Sequence, residues 1–460
     1  MLNTDLAKEK RIKRANTDWW IHSKAIVADN GLTYIGYYTD TGEIHVKEMD
    51  AKCSRTPSRD FRLCTLNCTY ADEHNAPSVC VLKSGRILVA YTGHQVKAVK
   101  YRFTEKPYDI STFVAERELP YDGTVTYVQI YENTVKNQLW MFSRVDGYKW
   151  VFRYSEDEGE TWSPARTFLN SDPGTAFDGY LKDQNIYIKP LGETRSLFYF
   201  DIRKQHVLTE KGSDEQFLFA LYGHPYKSMD HTIRSGMFDS EGYLLKNDGT
   251  RQGLDLYDDC GDVLDLNALD VVYAPPEGGT SRLLEVSSTL PLRIGFASFE
   301  MDVVNSPDPQ KPTYYSATFR DGAWQISKPI CKAGEFLAKD IYDGSQTYLG
   351  GMAYYYGVGE SGFEPEFVSR TFVDTNRIFI ARFDGKDRVL ESYVTHNFGE
   401  EYELEQVIRR IPGDRGVKIW RPTVPIHAQD NMPVYWHEGT YTAHTGGWHC
   451  DVVMLVEYDD

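Results

Sequence analysis

The chain has 460 residues, with 67 acidic and 50 basic side chains and a formal net charge of −17 at pH 7. An acidic surface argues against nucleic-acid binding and against a basic membrane-binding face, although a local cationic cluster can still hold an anionic polymer. Aromatic residues make up 14% of the chain, and 32 residues are Tyr, which favours β-strands and polar clefts that stack on sugars.

Short apolar or alternating segments run the length of the chain and are divided by Gly, Asp and Asn turns, whereas helical periodicity is nearly absent. Turn signals such as Asp40-Thr-Gly42 and Asp384-Gly385 recur at irregular intervals of roughly 40–80 residues. The predicted strands are, in chain order, Leu32–Tyr38, Ile44–Lys47, Ser78–Leu82, Ile87–Tyr91, Gln138–Ser143, Trp150–Tyr154, Ile186–Ile188, Leu197–Phe200, Phe217–Leu221, Leu292–Phe299, Thr313–Phe319, Arg377–Phe383, Pro433–Trp436 and Val452–Val456.

This pattern predicts an all-β fold, a seven-bladed β-propeller of four-stranded antiparallel blades that forms a single domain over residues 1–460. The blade count follows from about 440 residues at ~45–60 residues per blade. Residues 1–18 are predicted to be an N-terminal extension. The Pro-, Gly- and Asp-rich residues 247–281 are predicted to be a loop inserted between blades.

Seven cysteines lie at positions 53, 64, 68, 80, 260, 331 and 450, without a CxxC motif. An odd number spread over so long a chain predicts scattered buried thiols rather than a dense disulfide framework, with one or two bridges near Cys53–Cys80 left open. Residues 1–15 are charged and contain no apolar signal core. Either the protein is intracellular or a signal sequence has been trimmed from it.

Residues 155–162 read Ser-Glu-Asp-Glu-Gly-Glu-Thr-Trp, the sharpest local pattern in the chain. Ser155, Asp157 and Thr161 are short polar side chains that can hydrogen-bond the backbone of their own turn. Gly159 permits the positive φ that such a turn needs. The pattern S-x-D-x-G-x-T-W resembles the Asp box of sialidase-type propellers, and we interpret it as a staple for a hairpin rather than as a catalytic element.

Two histidines are predicted to meet at one end of a hairpin. His74 precedes the strand that begins at Ser78, and His94 follows the strand that ends at Tyr91. Because a hairpin reverses direction, the end of its second strand returns close to the start of its first. A lone histidine is usually structural, but a pair brought together in this way is a candidate active site, with Asn75 beside it as a candidate substrate-binding residue.

The next pair of strands repeats this geometry. Residues 126–129 open a predicted strand, and residues 139–143 return toward Arg144. Tyr127 and Arg144 are therefore expected at the same rim as the two histidines, with Gln129 as a further candidate for substrate binding. The Asp box follows Arg153–Ser155, away from the end that carries Arg144, which predicts that it lies on the opposite face.

A third strand of this kind is predicted beyond the Asp box. It carries Tyr187 as a candidate catalytic residue and Lys189 as a candidate substrate-binding residue. Tyr180 is an alternative to Tyr187, because the spacing within 178–189 is ambiguous.

Five motifs together resemble a known family. They are H-N-x-P-S from His74, G-R-I-L-x-x-Y-x-x-H ending at His94, T-Y-x-Q around Tyr127, F-x-R ahead of the Asp box, and Y-x-K at Tyr187. This set resembles BNR-type propeller polysaccharide lyases, above all the ulvan lyases of polysaccharide lyase family 25, with family 24 a near relative. The resemblance covers about residues 19–255. It implies a seven-bladed propeller that cuts a sulfated, uronate-containing polysaccharide by β-elimination.

The resemblance also implies roles for individual residues. His74 and His94 match the paired active-site histidines of that family, and Tyr127 matches a tyrosine implicated in proton transfer. Arg144 and Tyr187 match residues around the uronate carboxylate.

These residue types suit β-elimination, in which a base removes the C5 proton of a uronate and the O4-linked sugar departs. The planar guanidinium of Arg144 can neutralise the adjacent carboxylate and stabilise the developing enolate. A neutral histidine can take the proton, and a tyrosine hydroxyl can protonate the leaving oxygen. We expect His74 to be the base and Tyr127 the acid, while His94 positions the substrate or replaces His74 as base, depending on the uronate epimer.

Two other functions are weighed against the lyase. A typical sialidase needs three carboxylate-binding arginines, a Tyr/Glu nucleophile pair and an Arg-Ile-Pro motif near its start, whereas Arg410-Ile411-Pro412 lies close to the C-terminus here and is interpreted as coincidental. Another retaining or inverting glycoside hydrolase needs two facing carboxylates; Asp72 and Glu73 are available, but no second partner stands out. A non-catalytic carbohydrate-binding propeller needs only aromatic clefts, and the His/His/Tyr/Arg set exceeds that need.

The mechanism requires no cofactor, because Arg144 can supply the positive charge. A structural Zn²⁺ or Ca²⁺ between blades is left open, since the candidate ligands lack zinc-finger spacing; they are His224, His231, Cys260, His449 and Cys450. The expected partner is an anionic polysaccharide, with no nucleic acid and no membrane, and the protein is expected to be a monomer. A polymer too large to enter a cell predicts secretion, or a periplasmic or cell-surface location.

Overall fold

Short strands joined by tight turns build the molecule, as the alternating segments of the sequence predict. The computed structural model describes residues 10–13, 15–16, 25–50, 59–65, 73–170, 198–209, 212–223, 231–258, 263–277, 279–287, 291–299, 312–333, 351–354, 377–385, 387–413, 418–426, 434–440 and 449–455. Within these ranges there is no α-helix, and the helical elements are two 3-10 helices, Glu73–Asn75 and Leu266–Ala268. No helix of the described chain is both long enough and apolar enough to cross a membrane.

The strands are numbered in chain order. They are β1 (Lys10–Ile12), β2 (Ala15–Asn16), β3 (Ala25–Val27), β4 (Leu32–Thr39), β5 (Glu43–Asp50), β6 (Asp60–Thr65), β7 (Ser78–Val81), β8 (Ile87–Tyr91), β9 (Val96–Lys106), β10 (Asp109–Phe113), β11 (Arg117–Asn133), β12 (Gln138–Val145), β13 (Lys149–Ser155), β14 (Arg166–Asn170), β15 (Phe198–Thr209), β16 (Gly212–Gly223), β17 (Ile233–Asp239), β18 (Tyr243–Leu245), β19 (Arg251–Asp255), β20 (Asp270–Tyr273), β21 (Thr280–Val286), β22 (Arg293–Phe299), β23 (Thr313–Arg320), β24 (Ala323–Ile326), β25 (Cys331–Lys332), β26 (Gly351–Tyr354), β27 (Arg377–Asp384), β28 (Asp387–Val394), β29 (Glu403–Ile411), β30 (Lys418–Thr423), β31 (Val434–Thr440) and β32 (His449–Leu455).

These strands form six antiparallel sheets among the described residues. One sheet has eight strands in the order β14-β13-β12-β11-β9-β8-β7, with β10 on β9. Two sheets have four strands, in the orders β1-β32-β31-β30 and β26-β27-β28-β29. Two sheets have five strands: β2-β4-β5-β6, with β3 also paired to β4, and β21-β22-β23-β24, with β25 also paired to β23. The last sheet has six strands, β15-β16-β17-β18-β19, with β20 also paired to β17. The predicted all-β, propeller-like fold is therefore confirmed, whereas seven separate four-stranded sheets are not what the described residues form.

Within the predicted N-terminal extension, residues 1–18, the described residues 10–12 and 15–16 are strands of two sheets. Strand β1 pairs with the C-terminal strand β32, and β2 pairs with β4 of the following sheet. The first and last parts of the chain thus share one sheet, which closes the arrangement without leaving β32 as an open edge.

Residues 247–281 are likewise more than an inserted loop. Strand β19 pairs with β18, and β20 pairs with β17, so both complete the six-stranded sheet. The sequence did not reveal these strands, because they lie among polar turn residues and each is only four or five residues long. So short a strand shows no clear alternation of apolar and polar residues.

A continuous aromatic core packs the eight-stranded sheet against its neighbour. Trp140 and Trp150 are fully buried, and the Trp140 ring stacks on Phe217 of the six-stranded sheet with centroids 4.4 Å apart. Trp150 meets Phe200 of the same sheet at 5.5 Å. Burying a side chain of this size stabilises the fold by roughly 1.5–3 kcal/mol, so these contacts fix the orientation of β12 and β13, which carry part of the candidate site.

The Asp box forms the hairpin staple that the sequence predicts. Ser155 Oγ accepts a hydrogen bond from the Gly159 N–H at 2.8 Å, and Asp157 Oδ1 accepts one from the Thr161 N–H at 2.8 Å. Gly159 has φ +89°, in the left-handed region. The side chains of Ser155 and Asp157 are therefore committed to their own turn.

A second turn of the same construction joins β28 to β29, and the sequence did not reveal it. Thr395 Oγ1 accepts from the Gly399 N–H at 3.0 Å, and Asn397 Oδ1 accepts from the Glu401 N–H at 3.0 Å. Thr and Asn occupy the Ser and Asp positions and Tyr402 follows in place of the tryptophan, so only the glycine of the motif is unchanged.

Candidate active site

The candidate site lies where β7 begins and where β8 and β12 end. His74 is in the 3-10 helix that precedes β7. Pro77 and Val79 hold this segment against β4, because a Cβ added at Gly36 would lie 2.9 Å from Pro77 Cγ and 2.7 Å from Val79 Cγ2. Only a glycine at position 36 permits this approach, so the neighbouring sheet sets where His74 sits.

Tyr127 occupies a β-bulge in the middle of β11. Thr126 pairs with Arg144, but the next paired residues are Gln129 and Phe142, so three steps along β11 match two along β12. Tyr127 has φ +62°, a conformation that is unfavourable for a bulky side chain and is concentrated at functional sites. The bulge re-aims the Tyr127 ring away from the regular alternation of the strand.

Three aromatic rings form a stack across these elements. The His74 and His94 imidazoles lie 3.8 Å apart, centroid to centroid, at an interplanar angle of 9°. The Tyr127 ring lies 5.3 Å from His74 at 23°. The two histidines therefore lie side by side, as the hairpin topology predicts, and Tyr127 lies with them at the same end of the sheet.

Arg144 completes this group, which we call the catalytic stack for the role proposed for it below: His94, His74, Tyr127 and Arg144. Its guanidinium carbon lies 4.5 Å from the centre of the Tyr127 ring, within the range of a cation–π interaction. A positive charge is thus held beside a phenol and two imidazoles.

The catalytic stack is unequally exposed. His74, Tyr127 and Arg144 are each only 3–4% exposed, whereas His94 is intermediate. Because these three side chains are buried, the positive charge of Arg144 interacts with His74 and Tyr127 more strongly than it would in water. His94 is the member of the stack most open to a ligand.

The other predicted site residues have different outcomes. Asn75 and Gln129 are buried, at 1% and 0% exposure, and Gln129 Oε1 accepts a hydrogen bond from the Tyr131 hydroxyl at 3.4 Å. Their predicted role in substrate binding stays a prediction. Tyr187, its alternative Tyr180, and Lys189 lie outside the described residues.

Two residues at the site were missed in the sequence. Trp150 lies parallel to the Tyr127 ring at 6.4 Å and pairs with Arg144 in the β12–β13 register. Thr126 accepts a hydrogen bond from the Gln95 N–H, next to His94, at 2.9 Å. Both could have been found by extending the hairpin argument to the residues opposite Arg144.

The Asp box lies at the other end of the same strands, as predicted. Leu139 pairs with Ser155 of the box, while Arg144 pairs with Trp150. Five residues along a strand separate these pairs, a distance of ~16 Å. The box therefore sets the register of the site without touching it.

No group of three His, Cys, Asp or Glu side chains among the described residues could hold a metal ion. Cys64, Cys80 and Cys331 are free thiols. His224 and Cys260 lie outside the described residues, as do the side chains of His449 and Cys450. A structural metal held by residues outside the described part of the chain stays a prediction.

The sialidase-like features do not converge on this site. Arg410 of the Arg-Ile-Pro motif lies in β29, where its guanidinium forms ion pairs with Asp384 at 2.7 Å and Asp387 at 3.1 Å. The motif therefore serves a surface ion-pair group, consistent with its interpretation as coincidental. Asp72 and the side chain of Glu73 are not among the described parts of the chain.

Comparison with known proteins supports the fold. The model of the BNR repeat-containing family matches residues 32–209, and no curated protein matches the chain. A family 25 polysaccharide lyase, an ulvan lyase, matches over 97% of this chain and 96% of its own at 13% identity, with a TM-score of 0.66 in its complex with -[GlcA(1-4)Rha3S]- and 0.64 in a second structure. The polysaccharide lyase Uly1 is 11% identical over 95% of this chain and 90% of its own, with a TM-score of 0.53. The chain shares the fold of the lyases that its motifs resemble.

Proposed function

We propose that the protein is a polysaccharide lyase that cleaves a sulfated, uronate-containing polysaccharide of the ulvan type by β-elimination. The observation that carries this proposal is the catalytic stack, which holds two imidazoles, a phenol and a guanidinium together at one end of a propeller sheet. The ulvan lyases with the same fold support the choice of substrate class.

The proposed reaction begins at the uronate carboxylate. Its negative charge makes the C5 proton a weak acid, and Arg144 offsets that charge and stabilises the enolate that develops. His74 accepts the C5 proton, the C5–H electrons form the C4–C5 double bond, and the C4–O bond breaks. Tyr127 donates its proton to the departing oxygen.

The order of the stack supports this division of roles. His74 lies between His94 and Tyr127, so a base and an acid stand side by side next to the cation. Their adjacency favours removal of the proton and departure of the sugar on one face of the ring. His94, as the more exposed imidazole, positions the sugar or acts as base for the other epimer.

Further parts of the proposal concern the surroundings of the stack. We assign Tyr187 to the carboxylate and Asn75, Gln129 and Lys189 to substrate binding. The eight-stranded sheet is interpreted as two four-stranded blades, β7–β10 and β11–β14, joined through β9 and β11, which gives seven blades with the other five sheets. A polymeric substrate places the proposed activity outside the cytoplasm, and the protein is proposed to act as a monomer.

The test is digestion of a panel of uronate polysaccharides, with ulvan first, monitored by the ultraviolet absorbance of the unsaturated product and by reducing ends. A lyase produces both signals together. Reducing ends without absorbance indicate a hydrolase, and binding with neither signal indicates a carbohydrate-binding protein; either outcome overturns the proposal.

The assignment of the base is tested by His74→Asn and His94→Asn on a substrate of a single epimer. Loss of a general base lowers kcat by about 10²–10⁴-fold. On glucuronate we expect this loss for His74→Asn. Activity that survives His74→Asn largely intact contradicts the assignment.

A further inference from the structure

We infer that Thr126 is a positioning residue that holds His94 in the catalytic stack; this inference rests on the proposed function. Thr126 precedes Tyr127 in the bulge, pairs with Arg144 across β12, and accepts a hydrogen bond from the residue after His94. Its hydroxyl thus binds the backbone next to His94, while its own backbone adjoins Tyr127 and pairs with Arg144.

The loop that carries His94 needs such an anchor. It spans residues 92–95 between β8 and β9, and Gln95 ends it with φ +55°, a left-handed conformation in a residue that is not glycine. Such a conformation is strained and persists only where the surroundings enforce it. The bond from the Gln95 N–H to Thr126 Oγ1, at 2.9 Å, joins this residue to β11.

The bond is well protected. Thr126 is 2% exposed and Gln95 is half-buried, so the hydroxyl is shielded from water, and an N–H that loses its acceptor here is costly. Removing the hydroxyl therefore releases the loop and moves the His94 ring from its place 3.8 Å from His74. Because a small displacement of a catalytic group can cost a large factor in rate, the effect appears in kcat.

The experiment compares Thr126→Val, which replaces the hydroxyl with a methyl group, with Thr126→Ser, which keeps the hydroxyl. We expect Thr126→Val to lower kcat about tenfold with little change in KM, and Thr126→Ser to stay within about twofold of the parent. Thr126→Ala repeats the deletion without added bulk, in case the valine variant does not fold.

Thr104 offers a matched control at the other end of β9. Its hydroxyl accepts from the Ile87 N–H at 3.0 Å and donates to the Lys106 carbonyl at 2.8 Å, and it is fully buried. Thr104→Val removes comparable bonds far from the stack. We expect a lower melting temperature and an unchanged kcat, which separates positioning from general loss of stability.

A second readout does not depend on activity. The stacked imidazoles give ring-current shifts in spectra of histidine-labelled protein, assigned with the His74→Asn and His94→Asn variants. We expect the His94 shift to be lost in Thr126→Val and kept in Thr126→Ser. An unchanged His94 shift in folded Thr126→Val overturns the inference, whereas a parent protein inactive on every polysaccharide overturns the proposed function alone.

Discussion

The guanidinium of Arg144 lies 4.5 Å from the centre of the Tyr127 ring, and both side chains are almost fully buried. A buried cation against a phenol stabilises negative charge on anything that binds beside it, including the phenolate that remains after Tyr127 has given up its proton. One residue can therefore assist both the enolate and the acid.

Arg144→Lys tests this relationship. Lysine keeps the charge but loses the planar fork that matches a carboxylate, so we expect kcat/KM to fall by about 10²–10³-fold. Arg251→Lys is the control, because Arg251 also lies over a tyrosine ring, Tyr243, at 3.7 Å but on an exposed strand. Equal activity of the Arg144→Lys variant and the parent contradicts the role of Arg144.

Tyr127→Phe tests the acid. The ring, its stacking on His74 and the bulge are all retained, while the proton is lost. We expect kcat to fall by about 10²–10⁴-fold with a melting temperature close to that of the parent. A substrate with a good leaving group, which needs no protonation, should recover much of the rate. A phenylalanine variant that is fully active on the natural polymer would falsify the assignment.

The sequence predicted the stack because hairpin topology is local. His74, His94 and Arg144 are placed by short turns, and a short turn leaves little choice of where the next strand ends. The bulge at Tyr127 could not be foreseen, because a tyrosine with positive φ carries no sequence signal and is imposed by its neighbours. Its ring reached the site through a distortion rather than through regular alternation.

The pairing of strands that are distant in the sequence was harder to predict. Strand β1 pairs with β32 from the other end of the chain, and nothing in three residues identifies a partner so distant. The second Asp-box-like turn was missed because Thr395 and Asn397 accept the same hydrogen bonds as Ser155 and Asp157 but are different residue types. Two turns can therefore share the same hydrogen-bonding geometry without sharing a sequence motif.

That equivalence predicts the cost of changing Asp157. Asparagine keeps an acceptor for the Thr161 N–H, as Asn397 does for Glu401. We expect Asp157→Ala to lower the free energy of unfolding by about 1–2 kcal/mol and Asp157→Asn by clearly less. Denaturant unfolding gives both values. Equal losses for the two variants contradict the proposed hydrogen-bonding role.

The same carboxylate gives a pH dependence. Burial opposes ionisation, but hydrogen bonds from Thr161 and Ser155 hold the pKa of Asp157 below its ordinary value. Its contribution to stability is therefore fully present above the ordinary carboxyl pKa of about 3.9 and is lost as the pH falls through the lower folded value. Unfolding curves of the parent and of Asp157→Asn should converge in acid; curves that stay parallel contradict this linkage.

The thiols of Cys80, which is buried, and Cys64, which is half-buried, should be inert in the folded protein. Burial raises the pKa of Cys80 to about 12 and that of Cys64 to about 11. Because the thiolate is the reactive form, we expect peptides that contain either cysteine to be alkylated slowly at neutral pH and rapidly after denaturation. Peptide mapping by mass spectrometry measures this, and fast native labelling of Cys80 contradicts the packing of β7.

Glu438 links the two ends of the chain to a neighbouring sheet. This side chain on β31 is 5% exposed and accepts hydrogen bonds from Arg11 of β1 at 2.8 Å, from Arg409 of β29 at 2.7 Å, and from the Trp436 indole at 2.9 Å. Glu438→Gln removes a buried carboxylate that pairs with two guanidinium groups, although Arg11 keeps an ion pair with Asp451 at 3.6 Å. We expect a loss of about 2–3 kcal/mol in the free energy of unfolding.

The matched control for Glu438 is Glu401→Gln, because Glu401 pairs with Lys328 where both side chains are largely exposed. Solvent screens such a pair, so this change should cost far less than Glu438→Gln. A double-mutant cycle between Arg11→Ala and Glu438→Gln then isolates the contribution of the N-terminal strand, with an expected coupling of about 1–2 kcal/mol. Additive losses would mean that the Arg11–Glu438 pair does not stabilise the sheet, and that β1 is held on β32 by its backbone and by the ion pair of Arg11 with Asp451.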